Sequence, residues 1–302
     1  MSYDLIRSHL EMLQDRLRTE AYLAAIREVV KPQDRVLDFG CGTGVLSIFA
    51  ERAGASRVYA LDRSSMIAAA KVIMDENVCT RIVPVRSDGH TAELPEQVDV
   101  IVSEWMGHFL FAEQMLEPLV RLRDKFLRPG GRIVPESCSL HVCMVTSPAL
   151  FDDLSFLSTR PYGIDFSAVA DLPFNEVRIV RMRPEELLPE TACIGQFDLS
   201  SVPGMPHELS GTLTSSTDAV TYGFCGWFEA QLSPSVKLST SPFAPKTHWL
   251  QFHFPFNRPL EIRAGEPVQI DVQFVSQHQQ NGFRWRARTP TNVRIGESLA
   301  DE

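Results

Sequence analysis

Hydrophobic and polar positions change their spacing once along this chain, near residue 136. Before that point, short apolar runs typical of buried strands alternate with segments whose apolar residues recur every three or four positions, as on one face of a helix. Alternation of this kind predicts a parallel sheet covered by helices. We predict helices at 4–30, 64–77 and 115–127, strands at 58–61, 81–87 and 98–102, and a strand, glycine-rich turn and helix within 35–50.

From Ser139 onward the apolar residues mostly alternate with period two, as in half-buried antiparallel strands. Five strands are predicted, enough for a barrel or a sandwich, at 221–231, 235–239, 248–254, 260–263 and 268–274. The segment 148–174 interrupts the β region that begins at Ser139, with a predicted helix at 149–157 and an apolar content too high for a free surface excursion. Either local packing or the surface of a partner must cover it.

A glycine-rich turn follows the strand that begins at Arg35. Gly40, Gly42 and Gly44 allow positive φ and a close approach of the backbone to a ligand. The next strand ends in Asp62, about twenty residues further on, where an acid can accept hydrogen bonds from both hydroxyls of a ribose. These residues leave two cofactors open: a dinucleotide, whose pyrophosphate would lie at the helix N-terminus, and an adenosine cofactor without phosphate.

Two glutamates bracket an apolar loop after the strand at 98–102. The loop SEWMGHFLFAE runs from Ser103 to Glu113, with Glu104 nine positions before Glu113. Glutamates in loops are usually solvated, but the apolar residues between this pair disfavour exposure. A hairpin-like loop would direct both carboxylates into one apolar pocket, which suits a planar cation.

Composition narrows the class of protein. A chain of 302 residues with 44% hydrophobic content can bury a sizeable core in one large or two medium domains. It has no run of eighteen apolar residues and no N-terminal signal pattern, so we expect a cytoplasmic protein, also nuclear in a eukaryote, without membrane contact. Six cysteines without C-x-x-C spacing fit reduced thiols and disfavour structural zinc. A net charge of -9 disfavours direct nucleic-acid binding and favours basic partners.

The glutamate loop resembles the double-E loop of the protein arginine N-methyltransferases. HLEMLQDRLRT from His9 and THW at 247–249 resemble two further signatures of this family, so the likeness spans essentially the whole chain. It implies transfer of methyl groups from S-adenosylmethionine to the guanidino nitrogens of protein arginine, with S-adenosylhomocysteine as product and without a metal. The fold implied is a Rossmann-like methyltransferase domain followed by an antiparallel β-barrel domain. We accordingly expect a helical lid segment at 1–30, a cofactor domain at 31–136 and a substrate domain at 137–302.

The resemblance also assigns roles to residues. Glu104 and Glu113 would hold the guanidinium, and Asp15 paired with His248 across the domains would form a route for the released proton. Arg18 would grip the methionine carboxylate of the cofactor. The other cofactor-binding candidates are His9, Met12, Asp38, Gly40, Gly42, Gly44, Asp62, Asp88 and Gly89. Candidates for substrate binding are Tyr3, His108, Met115 and Trp249.

Three positions depart from the family pattern. His90 falls where the family has a glutamate that contacts adenine, so Asp88 is expected to take over this contact. His108 replaces a tyrosine at the rim of the substrate pocket. In family terms the chain begins at Tyr3, without the preceding turn that covers the cofactor, which implies a more open lid or a trimmed N-terminus.

Product and assembly follow from the same resemblance. Met12 matches a methionine of the enzymes that make monomethyl and asymmetric dimethyl arginine. The segment at about 148–174 matches the dimerisation arm, so a head-to-tail homodimer and Arg/Gly-rich protein substrates are expected. Two other functions stay open: a small-molecule methyltransferase, which the THW motif and both glutamates disfavour, and a catalytically silent dimeric scaffold, which the three departures allow.

Overall fold

The computed structural model describes residues 6–277 and 280–298. It divides into two compact units. The first unit contains the residues up to Cys138 together with 197–205 and 229–239. The second contains Ser139–Gln196, Pro206–Phe228 and the residues from Thr240 onward.

Five parallel strands form the sheet of the first unit, in the order β3-β2-β1-β4-β5. They are β1 (Arg35–Phe39), β2 (Arg57–Asp62), β3 (Ile82–Arg86), β4 (Val98–Ser103) and β5 (Leu127–Val134). Every residue of β4 is buried, as its continuous apolar pattern predicted. Pro84 lies in β3 at the edge of the sheet, where a residue without an N–H leaves few ladder hydrogen bonds unmade.

The described helices are α1 (Ile6–Gln14), α2 (Arg16–Val29), α3 (Val45–Arg52), α4 (Met66–Glu76), α5 (Leu116–Phe126) and α6 (Pro148–Leu154). The prediction of one helix over 4–30 was wrong at Asp15, where the backbone leaves the helical region with ψ 88°. The Asp15 carboxylate accepts the N–H of Arg18 at 3.1 Å and caps α2. An aspartate that competes in this way for backbone donors ends one helix and begins the next.

The turn that Pro129, Gly130 and Gly131 suggest lies inside β5. Val98 pairs with Leu127, but Val100 already pairs with Arg132, so the residues between these pairs bulge out of the ladder. Gly130 has a φ of 74°, which favours glycine. The sequence signal for a turn therefore marks an irregularity within the strand and not its beginning.

The remaining strands form two sheets. Their orders are β7-β12-β10-β6-β8, with β11 beside β10, and β15-β14-β13-β9. The strands are β6 (Ser137–Val145), β7 (Arg178–Val180), β8 (Leu187–Asp198), β9 (Glu208–Thr214), β10 (Ala219–Ser233), β11 (Val236–Ser239), β12 (Gln251–Ile262), β13 (Pro267–Gln277), β14 (Gln280–Arg288) and β15 (Val293–Ser298). Pairing is antiparallel along β7-β12-β10 and throughout the second sheet.

Two segments predicted as separate strands, 248–254 and 260–263, belong mainly to β12, which begins only at Gln251. The pairing of β10 with β12 shifts between Thr221 and Gly223, so the turn-like residues near Pro259 are accommodated as a bulge. A β-bulge of this kind has the same local sequence signal as a turn.

The segment at 148–174 contains α6 and several short 3₁₀ turns. Phe151 packs on Phe174 and on Tyr222, each with ring centroids 5.3 Å apart. Tyr162, by contrast, is 93% exposed, and further apolar side chains are exposed at Phe156, Ile164 and Leu172. Local packing thus covers one face of the segment and leaves an apolar face open to a partner.

His253 in β12 is fully buried opposite Cys225 of β10. Neither of its ring nitrogens has a hydrogen-bond partner among the described residues, and burial lowers its pKa from 6.5 to about 4. The unfolded chain therefore binds a proton between pH 6.5 and about 4 that the folded chain does not bind. Stability should fall as the pH drops through this window, by about 2 kcal/mol between pH 7 and 5.

Urea unfolding at pH 7 and pH 5 measures this effect. His253→Leu removes the titrating group, so the difference between the two pH values should shrink by about 2 kcal/mol. His207→Leu removes an exposed histidine of the same unit and should leave the wild-type difference in place. An unchanged pH difference in His253→Leu would show that the folded chain can protonate this ring.

Candidate active site at the carboxyl end of the parallel sheet

The strand order of the first unit reverses between β1 and β4, which are neighbours in the sheet. Ligands of open α/β sheets bind beyond the carboxyl ends of the strands at such a switch point. Phe39 and Ser103, the last residues of these two strands, pair with each other. The glycine turn and the glutamate loop therefore leave the sheet side by side.

The glycine turn needs glycine at each of its three positions. Gly40, Gly42 and Gly44 have φ values of 74°, 52° and 79°, which side chains with a Cβ rarely adopt. A Cβ on Gly42 would lie 2.8 Å from the ring of His9, which is buried on α1. His9 therefore packs directly on the turn, as expected of a residue at the cofactor site.

Asp62 holds the turn in place and keeps lone pairs that can accept hydrogen bonds from a ligand. Its Oδ2 accepts the N–H of Gly42 and its Oδ1 accepts the N–H of Ser64, each at 2.8 Å. Each carboxylate oxygen has a second lone pair, so both hydroxyls of a ribose can still donate to Asp62. The predicted ribose contact is compatible with this geometry.

Asp38 lies in β1, two residues before Gly40 of the same turn, and is fully buried. Its Oδ2 accepts the hydroxyl of Ser47 at 2.6 Å, while no partner in the described chain contacts Oδ1. Burial raises the pKa of this carboxyl group to about 7, and the charge of Asp62 adds to the shift. A buried acid that has an unmatched oxygen and directly precedes a glycine-rich turn is a candidate contact for a polar cofactor.

A buried ion pair links α2 to the glutamate loop. Arg18 Nη2 and Nε contact Glu104 Oε2 at 2.7 and 3.2 Å, and each side chain is only 7% exposed. Burial alone would lower the pKa of Arg18, but Glu104 outweighs it and raises the pKa above its ordinary value. Arg18, which is expected to bind the cofactor carboxylate, is thus held by Glu104, which is expected to bind the substrate cation.

The glutamate loop folds back on itself as predicted. Gly107 donates its N–H to the carbonyl of Leu110 at 3.0 Å and forms an antiparallel bridge with it. Phe109 and Leu110 take positive φ values of 52° and 62° in this turn. A Cβ on Gly107 would lie 2.7 Å from Cγ of Glu113, so only glycine lets Glu113 approach so closely.

Aromatic residues hold this loop in place. Trp105 is 1% exposed and lies 6.1 Å from the ring of Phe111, which in turn meets Phe197 edge-on at 5.1 Å. Glu104 also accepts the N–H of Met106 at 3.2 Å through its other oxygen, Oε1. The carboxylate therefore cannot rotate freely, which is the preorganisation that cation binding requires.

Several predicted residues lie around this centre. Met12 Sδ is 3.7 Å from Nη2 of Arg18. Cε of Met115 would lie 3.2 Å from a Cβ on Gly40. A Cβ on Gly89 would lie 3.1 Å from the ring of Phe39.

His90 is exposed, and Asp88 caps the turn that contains it. Asp88 Oδ1 accepts the N–H groups of His90 and Thr91 at 2.9 and 2.8 Å, together with the Thr91 hydroxyl. The hydrogen bonds from Thr91 lower its pKa. This turn commits one oxygen of Asp88 to local structure, so an adenine contact would use the other.

The THW residues lie in the second unit. Trp249 is buried and meets Phe228 edge-on at 5.2 Å, and the ring of His248 lies 4.0 Å from that of Trp249. The pairing of His248 with Asp15 stays a prediction, as do the substrate contacts of Trp249 and His108. Tyr3 lies outside the described residues.

Tyr22 was missed by the sequence reasoning. It is fully buried on α2, one turn after Arg18, and its hydroxyl donates to the carbonyl of Ser103 at 3.1 Å. The Arg18 guanidinium lies 5.9 Å from the centre of the Tyr22 ring, within reach of a cation–π contact. The i, i+4 spacing of Arg18 and Tyr22 was the available signal, since such residues share one helix face.

Sequence comparisons identify the family. The profile of the arginine methyltransferase oligomerization subdomain matches residues 136–284, and that of ribosomal protein L11 methyltransferase matches 17–134. Protein arginine N-methyltransferase 6 of Danio rerio is 36% identical over 290 residues, 90% of this chain and 82% of that protein. Protein arginine N-methyltransferase 1 of Saccharomyces cerevisiae is 34% identical over 90% of this chain and 81% of its own length. This chain belongs to the protein arginine N-methyltransferase family.

Solved structures agree with this assignment. A chain of the Trypanosoma brucei PRMT1 enzyme-prozyme heterotetrameric complex with AdoHcy superposes with a TM-score of 0.92 at 27% identity, covering 99% of this chain and 100% of that one. A crystal structure of PRMT6 shares the fold with a TM-score of 0.75 at 24% identity, over 94% of this chain and all of the other. As a member of the family, the chain is a methyltransferase whose methyl donor is S-adenosylmethionine.

The residues present fit this cofactor. The glycine turn leaves room that any Cβ would fill, Asp62 keeps lone pairs for two hydroxyls, and Asp38 has an unmatched buried oxygen. Within 6–277 and 280–298, no cluster of three or more His, Cys, Asp or Glu side chains could hold a metal ion. In the same part of the chain no helix is both long and apolar enough to span a membrane.

Proposed function

We propose that this arginine methyltransferase makes monomethyl and asymmetric dimethyl arginine in Arg/Gly-rich protein segments. The observation that carries the proposal is the preorganised Glu104, buried beside Arg18 at the carboxyl end of β4. Glu113, at the other end of the loop, lies close against Gly107. The methyl donor supplies the electrophilic methyl group, and the remaining task of the protein is to orient a guanidinium and to polarise it.

Two carboxylates can perform that task. A guanidinium is protonated at physiological pH, and its delocalised lone pairs make it a weak nucleophile. Hydrogen bonds from two of its nitrogens to Glu104 and Glu113 would fix its plane and draw positive charge towards those nitrogens. The third nitrogen can then accept the methyl group as its bond to the donor sulfur breaks, with S-adenosylhomocysteine as the leaving group and loss of one proton from that nitrogen. Holding the reactants together supplies up to roughly 7 to 11 kcal/mol.

The asymmetric product is supported by Met12. Its flexible side chain contacts Arg18 at the centre of the site and leaves more adaptable space than a rigid aromatic ring would. A guanidinium nitrogen that already carries one methyl group can then return to the same position. The net charge of -9 supports basic substrates, because it steers cationic segments towards the protein.

A homodimer is supported by two exposed apolar surfaces. One is the open face of segment 148–174. The other is a stripe on α1, where exposed side chains recur at helical spacing at Ile6, Leu10 and Leu13. Docking of the segment of one copy on the stripe of another would bury both, as expected for a two-fold assembly.

A second function is supported by the structural relative from Trypanosoma brucei, which is a chain of an enzyme-prozyme heterotetramer. Its TM-score of 0.92 over 99% of this chain makes a partner role in a mixed assembly the alternative to an enzyme that acts alone. The departures at His90 and His108 are compatible with either role.

Mass spectrometry of an Arg/Gly-rich peptide incubated with the protein and S-adenosylmethionine tests both functions. We expect methylated arginine whose fragment ions have the asymmetric pattern. Calorimetric titration with S-adenosylhomocysteine in parallel shows whether the site is competent to bind cofactor. Cofactor binding without methylation of any arginine peptide would contradict the first function and favour the partner role.

A further inference from the structure

A pocket of about 370 Å³ opens in the second unit. One wall is the segment Arg181–Pro184, which follows β7, and the other is formed by residues 241–246 and Gln251 at the start of β12. Its lining includes the cationic side chains Arg181, Arg183 and Lys246. Three cations around one cavity are unexpected in a chain whose net charge is -9.

Two of these cations have no counter-ion among the described residues. Arg183 pairs with Glu186 at 2.9 Å and with Glu185 at 3.7 Å. The side chains of Arg181 and Lys246 make no ion pair or hydrogen bond with any described part of the chain. Both are exposed, and they line the pocket from its two different segments. An anion between them would meet two positive charges that the fold itself leaves unmatched.

A buried amide holds the two walls together. Gln251 accepts the N–H of Met182 at 3.0 Å through its side-chain oxygen and donates from Nε2 to the carbonyl of Thr240 at 2.9 Å. Met182 and Gln251 are both buried. Arg181 and Arg183 flank Met182, and alternate residues of an extended chain project to the same face. The backbone segments that carry the cations are therefore held together before a ligand binds.

The chemistry of the walls selects a class of ligand. Guanidinium groups present a planar fork that binds phosphate oxygens in pairs, and an ammonium adds a point charge. A phosphate monoester carries about -1.5 to -2 charges at pH 7 and three acceptor oxygens. Two unmatched cations balance such a dianion, whereas a single carboxylate would leave one of them unpaired.

The position of the pocket connects it to the substrate. Lys246 directly precedes Thr247, and Gln251 follows Trp249 by two residues, with a turn at His248 and Trp249 and a positive φ of 54° at Leu250 between them. If the substrate arginine lies along Thr247–Trp249, a residue about two to four positions away on the same segment reaches the pocket. We propose that the pocket binds the phosphate monoester of a phosphoserine or phosphothreonine in the protein substrate. That the substrate carries the phosphate rests on the proposed function, whereas anion binding by the pocket does not.

Peptide binding tests this proposal without relying on methyl transfer. Fluorescence polarisation compares an Arg/Gly-rich peptide that carries one phosphoserine three residues from its arginine with its unphosphorylated twin. The wild-type protein should bind the phosphorylated peptide at least tenfold more tightly. Arg181→Gln combined with Lys246→Gln should abolish that preference and leave the affinity for the unphosphorylated twin unchanged.

A matched control separates the site from general charge. Arg258→Gln combined with Arg263→Gln removes two exposed cations of the same unit and should keep the full preference. Equal affinity of the wild-type protein for both peptides would overturn the proposal, as would equal losses in the two double variants. Inorganic phosphate is the second probe. A further outcome is that the wild-type protein shows no preference between the peptides while millimolar phosphate displaces peptide only when Arg181 and Lys246 are present. That result would overturn the substrate as the source of the phosphate and support a free phosphate ligand.

Failure of this proposal is distinguishable from failure of the proposed function. Methylation of the unphosphorylated peptide without any phosphate preference would overturn the pocket assignment alone. A phosphate preference in a protein that methylates neither peptide would support the pocket and contradict the enzymatic role.

Discussion

Glu104→Gln should reduce kcat for arginine methylation by about 10²- to 10³-fold, the usual cost of removing one preorganised electrostatic group from an active site. Glutamine keeps the shape of the side chain and loses the charge that would polarise the guanidinium. Glu104 is held by Arg18 and by the N–H of Met106, so its carboxylate does not need to reorganise when a cation binds. Steady-state kinetics with saturating peptide and cofactor measure this loss.

The isosteric control is Glu117→Gln, which changes an exposed glutamate of α5 close to the same loop. It should retain wild-type kcat. Calorimetric titration of S-adenosylhomocysteine must accompany both variants, because the loss of Glu104 also frees its partner Arg18. A Glu104→Gln enzyme that stays within about threefold of the wild-type kcat would show that this carboxylate does not polarise the substrate.

The fold of the first unit was accessible from sequence because its signals are local. Continuous apolar runs mark β1 and β4, and the glycine turn joins β1 to α3 as expected. The failures are local as well. Asp15 lies within a segment whose apolar spacing predicts one helix, yet its side chain accepts the backbone N–H of Arg18 and divides that helix in two. The bulge near Pro259 cannot be distinguished from a turn without the partner strand.

The sequence marks candidate residues of the site but not the contacts between them. Glu104 and Glu113 are marked by their spacing and by the apolar residues between them, and the fold-back of the loop follows from Gly107. The ion pair between Arg18 and Glu104 joins residues 86 positions apart, and periodicity carries no information at that separation. Arg181 and Lys246 likewise meet at one pocket only because Gln251 bridges their segments.

Arg18→Met should destabilise the cofactor-free protein by about 3 to 5 kcal/mol, because it leaves the buried carboxylate of Glu104 without a counter-ion. The double variant Arg18→Met/Glu104→Gln leaves no unpaired charge, so it should be more stable than Arg18→Met alone. Urea unfolding at constant pH measures both free energies of unfolding.

Arg16→Met is the matched control, since Arg16 makes an ion pair of similar length, 2.9 Å, with Glu20, but the two side chains are 84% and 61% exposed. Its loss should cost less than about 1 kcal/mol.

The comparison decides what the buried pair does in the resting enzyme. If the double variant recovers stability, Arg18 and Glu104 act as counter-ions for each other in the cofactor-free protein, and each keeps the other charged and in place. That arrangement ties the cofactor side of the site to the substrate side, because a change at either charge alters the electrostatic field at the other. A double variant no more stable than Arg18→Met would contradict this coupling and assign the loss to the packing of the arginine side chain on Tyr22 and Met12.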